Sequence, residues 1–195
     1  MISAQSCFSG ASWPKLIGYG KADTSVIAID RRTAPSPALF LAMVSDEADF
    51  VFNAGTSATT IGYLALDETT ETYMWFKVMA DGRYNTGDPN YAFVHVSPDG
   101  SKVLATFFVP GGALVVQNFV YLDANTGAVL ASAHLPDCCK RFYGRDAIVV
   151  GNTSIFTLGN LANDQSALVG FTYDGAASLN EIGWLRWELD DDTGL

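Results

Sequence analysis

Adjacent cysteines, two histidines and three acidic runs are the residues of this chain best suited to chemistry. Cys138-Cys139 can close on themselves as a strained eight-membered ring, remain as two thiols, or pair one sulfur with Cys7. Three cysteines in 195 residues do not make a disulfide framework. His95 and His134 have no Cys or His at metal-ligand spacing, so zinc has no donor set here. His95 stands between Val94 and Val96 and therefore belongs to the other side of its strand, where it reads as structural and not as a base. The acidic runs are Asp46-Glu47-Ala48-Asp49, Asp67-Glu68 with Glu71, and Asp190-Asp191-Asp192. None has the glycine and ligand spacing of a calcium loop, and they read as solvated surface, the last as an acidic tail. A G-x-S-x-G elbow is absent, and Gly18-Tyr19-Gly20-Lys21 lacks the rest of a phosphate loop. The expectation is a chain with no catalytic, cofactor-binding or metal-binding residues.

Asn152-Thr153-Ser154 matches the N-glycosylation acceptor pattern at an expected tight turn, which favours an extracellular or cell-surface setting. The net charge of −10 weighs against nucleic acid, because phosphate binding needs clustered basic residues. Arg31-Arg32 and Lys140-Arg141 are isolated pairs. Apolar runs such as 103–109 and 113–116 are far too short to span a bilayer. The first seven residues have neither the basic start nor the apolar stretch of a signal peptide.

The elements that must position these residues are strands. Apolar content of 49%, with only 16% charged residues, is that of a folded chain. Period-two alternation places strands at 25–30, 38–44, 61–67 and 72–79, then at 91–97, 102–109, 114–123 and 128–134. A third set follows at 146–150, 154–158, 167–173 and 181–189. Between them stand Gly, Asn, Asp and Pro, with Ser97-Pro98-Asp99-Gly100-Ser101 and Gly151-Asn152 as tight turns. No stretch offers sustained helical periodicity with a cap, so the class is all-β.

A turn built on aspartate recurs in each set. The copies are Tyr63-Leu64-Ala65-Leu66-Asp67, Val120-Tyr121-Leu122-Asp123 and Gly170-Phe171-Thr172-Tyr173-Asp174, their aspartates 56 and 51 residues apart. Four antiparallel strands repeated at this period describe a propeller blade, with an evenly spaced β-sandwich as the alternative.

Trp13-Pro14-Lys15-Leu16-Ile17-Gly18-Tyr19-Gly20, followed by 23–30, resembles the SBBP-type β-propeller repeat, and Trp75-Phe76-Lys77 with Asp81-Gly82 resembles a second copy. The 97–105 segment is similar to the hairpin of WD-type and TolB-type propellers, and 122–130 to the blade turn of quinoprotein repeats. The resemblance implies a propeller over most of residues 13–189. In the quinoprotein alcohol dehydrogenases a ring of adjacent cysteines stacks on the cofactor, so Cys138 and Cys139 would take that place. The calcium site, catalytic aspartate and tryptophan floor of those enzymes have no counterparts here.

The expected organisation is one continuous propeller domain, with residues 1–22 as the terminal strand of a preceding blade. Blades then occupy 23–80, 81–135 and 136–195, the last including the acidic tail. Three blades are too few to close a ring, since propellers have about four to eight. Unpaired edge strands would accept other protein subunits, including copies of the same chain. The aromatics Tyr63, Tyr73, Trp75, Trp184 and Trp187 fall near blade rims as junction packing. Trp13, Trp184 and Trp187 are candidate interface anchors. The expected function is a non-enzymatic structural or protein-interaction module without a cofactor, part of a larger extracellular assembly. The alternatives are a fragment of a quinoprotein-like oxidoreductase and a carbohydrate-binding propeller that uses its rim tryptophans.

Overall fold

A computed structural model describes residues 5–6, 15–16, 24–45, 60–79, 92–111, 114–134, 143–160, 166–176 and 179–187. Within these residues every ordered element is a strand. Gln5–Ser6 (β1) and Lys15–Leu16 (β2) pair antiparallel. The sequence-based expectation for residues 1–22, a single terminal strand, did not include this two-stranded piece.

The other strands form three four-stranded antiparallel sheets, each in simple chain order from one edge to the other. The first blade holds β3 (Thr24–Arg32), β4 (Ala38–Ser45), β5 (Thr60–Asp67) and β6 (Tyr73–Val78). The second holds β7 (Phe93–Val96), β8 (Lys102–Gly111), β9 (Leu114–Asp123) and β10 (Val129–His134). In the third are β11 (Tyr143–Val150), β12 (Ser154–Asn160), β13 (Ser166–Thr172) and β14 (Asn180–Trp187). All twelve expected strands are present, and the chain is an all-β propeller whose described blades do not close a ring.

Inner strands lie side by side, β3 against β7 and β7 against β11, so the sheets fan face to face from a common edge. Because side chains alternate across each sheet, one face of the second blade packs on the first and the other on the third. Phe40, Tyr63 and Ala42 meet Val94, Val103, Val120 and Leu122 in one core. Leu104, Phe119 and Tyr121 meet Ile155, Val169 and Phe171 in the next. The repeat is regular to the residue. Phe40 and Leu104, each third in its blade's second strand, are fully buried against the following blade.

The first and third turns of each blade lie at one end of the sheets, as strand alternation requires. Asp67 accepts the backbone N–H groups of Thr69 and Thr70, and Asp123 those of Asn125 and Thr126, which is how a short carboxylate closes a turn. Gly127 takes a φ of 68° and also lies under a neighbour: an added Cβ would stand 2.7 Å from the Trp75 ring. The corresponding residue of the first blade, Glu71, holds φ 58° with a side chain in place.

Candidate functional site

Two places bring functional groups together: the turn end between the first two blades, and the open face of the third.

Arg32 ends β3, and the turn that follows buries it to 2% exposure. Its Nε donates to the Ser36 carbonyl at 2.8 Å. Nη1 reaches across to the second blade, donating to the Gly100 carbonyl at 3.1 Å and to Asn125 Oδ1 at 2.8 Å. The guanidinium lies 5.7 Å from the centre of the Phe40 ring, a cation–π distance. Nη2 is buried without a partner. One cation thus ties the first blade's inner hairpin to two turns of the second, β7–β8 and β9–β10. The sequence reading treated Arg31-Arg32 as an isolated basic pair. The local sequence held no signal for the pairing, because the partners are 68 and 93 residues away.

Other side chains cross the same junction. Asp30 Oδ2 accepts the Val96 N–H at 2.7 Å, the Tyr63 hydroxyl donates to the Thr106 carbonyl, and Trp75 Nε1 donates to the Ala124 carbonyl at 2.9 Å. Tyr63 and Trp75 are therefore junction residues, as expected from sequence. Tyr73 keeps a buried hydroxyl without a partner, and burial pushes its pKa up.

An open cleft of about 670 Å³ lies between the turns, lined by Asp30, Arg32, Pro35, Val96, Pro98 and Asp99 among others. Its polar groups are already engaged. Asp30 accepts Val96 and Arg31 N–H groups, and Asp99 accepts Ser97 and Ser101. Burial acts to raise the pKa of Asp99, but the hydrogen bonds from Ser101 and Ser97 outweigh it and hold the group below its ordinary value. Arg32 Nη2, buried without a partner, is sealed from solvent. The cleft is the outer side of a structural joint.

Exposed Arg31 pairs with Glu68 through two hydrogen bonds, at 2.7 and 2.8 Å, which raises the arginine's pKa and lowers the carboxylate's. Among the described residues no group of three or more His, Cys, Asp or Glu is placed to hold a metal. Nor is any described helix long and apolar enough to cross a membrane. His95 is half-buried in β7, its ring 6.0 Å from that of Phe93.

Asn152 lies in the β11–β12 turn, half-buried, and its Oδ1 accepts the Asp99 N–H at 3.3 Å. Trp13, Cys138, Cys139 and the acidic tail lie outside the described residues. Trp184 and Trp187 belong to β14, with their side chains outside the described set.

The third blade differs from the others on the face turned away from its neighbour. Register places Ile148 beside Phe156 and Leu158 beside Leu168 on that face. Ile148, Val150 and Leu158 are 58%, 49% and 46% exposed, and Phe156 and Leu168 are half-buried. Phe156 lies on the face of its blade's second strand that corresponds to the one on which Phe40 and Leu104 are fully buried. Nothing in the alternation of the sequence marks this difference.

No family model matches the chain, and no curated protein does. Solved structures do match. The β-propeller domain of the Trilobed protease from Pyrococcus furiosus, described as having an open velcro topology, aligns at a TM-score of 0.50 and 11% identity over 84% of this chain. The rhamnogalacturonan lyase YesW aligns at 0.53 and 13% identity over 88%. The chain spans 44% and 36% of the lengths of these two structures. Likeness at this identity is likeness of fold, and the fold is a β-propeller.

Proposed function

We propose that this chain is a non-enzymatic structural and protein-interaction module, a run of propeller blades that acts by offering a blade face to further protein. One observation carries the reading: the third blade ends in an apolar face equivalent to two that are buried elsewhere in the molecule. An apolar patch of this kind on a folded surface marks an interaction site. From sequence alone the expected contacts are unpaired strand edges. The exposed apolar side chains lie on a sheet face, so the proposal puts the contact there. The activities named for the matched protease and lyase belong to those proteins. Here the titratable groups of the turn end hold turns and blades together, which supports a scaffold over a catalyst. An extracellular or cell-surface setting forms part of the reading, with the Asn152 acceptor triplet as its support.

Sedimentation of the chain in an extract of its source, compared with Leu158→Lys, tests the module reading. A larger species that the lysine abolishes is the expected result. Wild type and variant both sedimenting as free chains would overturn it.

A further inference from the structure

Nine asparagines stand in the chain, and Asn152 alone has a hydroxyl residue, Ser154, two places after it. Such a triplet is only a pattern, and many arise by chance. The folded turn answers what the pattern leaves open, namely whether the amide nitrogen that would take a sugar is engaged or exposed.

Asn152 belongs to the tight turn between β11 and β12, with exposed Gly151 and Thr153 on either side. Gly151 holds a φ of 59°, and an added Cβ there would meet nothing within 4 Å, so the turn stands in open space. The partner of Asn152 orients its amide. The Asp99 N–H is a donor, so the side-chain atom facing it at 3.3 Å is the oxygen, Oδ1. The Asn152 backbone carbonyl accepts the Tyr121 hydroxyl at 3.4 Å. The second blade thus grips this residue by its two oxygens. Nδ2, the other arm of the planar amide, has no acceptor among the described residues. Nor is it one of the buried polar atoms left without a partner, so it meets solvent.

Two other turn asparagines give the contrast. Asn180 commits its nitrogen to Asp174 Oδ2 at 3.0 Å. Asn125 is held through Oδ1 by Arg32, as Asn152 is by Asp99, but Thr126-Gly127 follows it and puts no hydroxyl in the third place.

We infer that Asn152 carries an N-linked saccharide, rooted at the turn end between the second and third blades. The inference rests on the extracellular setting in the reading above and gives that setting a chemical mark. The co-reactant is a saccharide donor activated as a diphosphate ester. Nδ2 forms a bond to the anomeric carbon, and the bond from that carbon to the diphosphate oxygen breaks. The diphosphate leaves with the electron pair, and Nδ2 gives up one proton to the medium. Oδ1 takes no part, so the hydrogen bond from Asp99 survives the modification. Ser154 supplies the hydroxyl that completes the acceptor triplet. Register pairs Ser154 with Val150, so the sugar stands at the turn-end border of the open apolar face. The rows of Ile148 with Phe156 and of Leu158 with Leu168 lie further along the strands, where they stay available to a partner.

Peptide mapping of the chain isolated from its source tests the assignment. The peptide spanning Asn152 should be heavier by a saccharide and should release sugar ions on collision. Two substitutions made in the same source separate the sugar from the contacts of the asparagine. Ser154→Ala keeps Asn152 with its Asp99 and Tyr121 contacts, and it should lose the saccharide entirely with far-UV circular dichroism unchanged. Ser154→Thr keeps a hydroxyl at the third place and should retain the saccharide.

An unmodified Asn152 in the source protein would overturn the inference. So would a saccharide that persists in Ser154→Ala, which would place it on another residue. An unmodified Asn152 also removes the triplet's support for an extracellular setting, while the contact made by the third blade is decided separately by Leu158→Lys.

Discussion

Between the first and second blades, polar side chains reach across the junction: Arg32 to Gly100 and Asn125, Tyr63 to Thr106, Trp75 to Ala124, and Asp30 to Val96. Between the second and third the crossing is aromatic. Phe119 and Phe171 rings stand 4.8 Å apart, and Tyr121 meets Tyr173 edge-on at 5.5 Å. The polar links there are Asp99 N–H to Asn152 at 3.3 Å, the Tyr121 hydroxyl to the Asn152 carbonyl at 3.4 Å and the backbone Leu179 N–H to the Ser132 carbonyl at 3.1 Å, with no buried cation among them. Burial pushes the Tyr121 phenol well up, with Asp99 and Tyr173 adding to the shift, so it stays a neutral donor. The same blade geometry is therefore held by direction on one side and by area on the other. Hydrogen bonds fix orientation, whereas apolar contact tolerates small rotations at little cost.

The largest expected effect falls on the aromatic side. Phe171 is buried, and Phe171→Ala removes its ring from Phe119 and leaves a cavity in the core of this junction. Urea unfolding should show a loss of about 3–5 kcal/mol. A loss below about 1 kcal/mol would mean that area does not hold this junction.

Arg32→Met should cost less, about 2 kcal/mol, although it removes more contacts. The carbonyls of Ser36 and Gly100 lose their donor. Against that, a guanidinium with one buried unpartnered nitrogen no longer has to be desolvated, and Met keeps much of the apolar stem that lies beside Gly100. If the variant is neutral, the junction is held by its apolar core alone. If it exceeds the cost of Phe171→Ala, direction dominates, and the ordering of the two sides reverses.

The contrast between junctions was only half legible in sequence. Strands, turns and blade count followed from alternation and from the aspartate turns, because those signals are local. Junction roles for Tyr63 and Trp75 followed from large aromatics near blade rims. Arg32 did not, since its partners come from turns of a different blade and a basic pair looks the same whether buried or free. The open face was also hidden. Phe156 sits in a pattern like those of Phe40 and Leu104, and only the absence of a further described blade beyond it makes the difference. Of the candidate site residues, Asn152 is placed at its expected turn. Trp13, Cys138 and Cys139 fall outside the described residues.

The smallest expected effect sharpens the comparison from the acid side. At Asp123, burial acts to raise the pKa, but hydrogen bonds from Thr126 and Asn125 outweigh it, and the nearby Arg32 charge lowers it further. At Asp67 the hydrogen bond from Thr70 leads the lowering, with Arg32 contributing again. A carboxylate whose folded pKa is depressed gives stability above its ordinary pKa of about 3.9. That stability is lost as pH falls through the folded value. Both groups therefore hold their turns at neutral pH and release them in acid, and both lie on the side that Arg32 organises. Asp123→Asn should flatten the fall of the urea midpoint between about pH 5 and pH 2, by less than either substitution above, since the group is largely solvated. In an Arg32→Met background the flattening should shrink, because one of the charges holding the carboxylate low is gone. Parallel acid limbs for wild type and Asp123→Asn would show that the turn closes without its charge. The first junction would then owe its direction to the arginine and the aromatic donors alone.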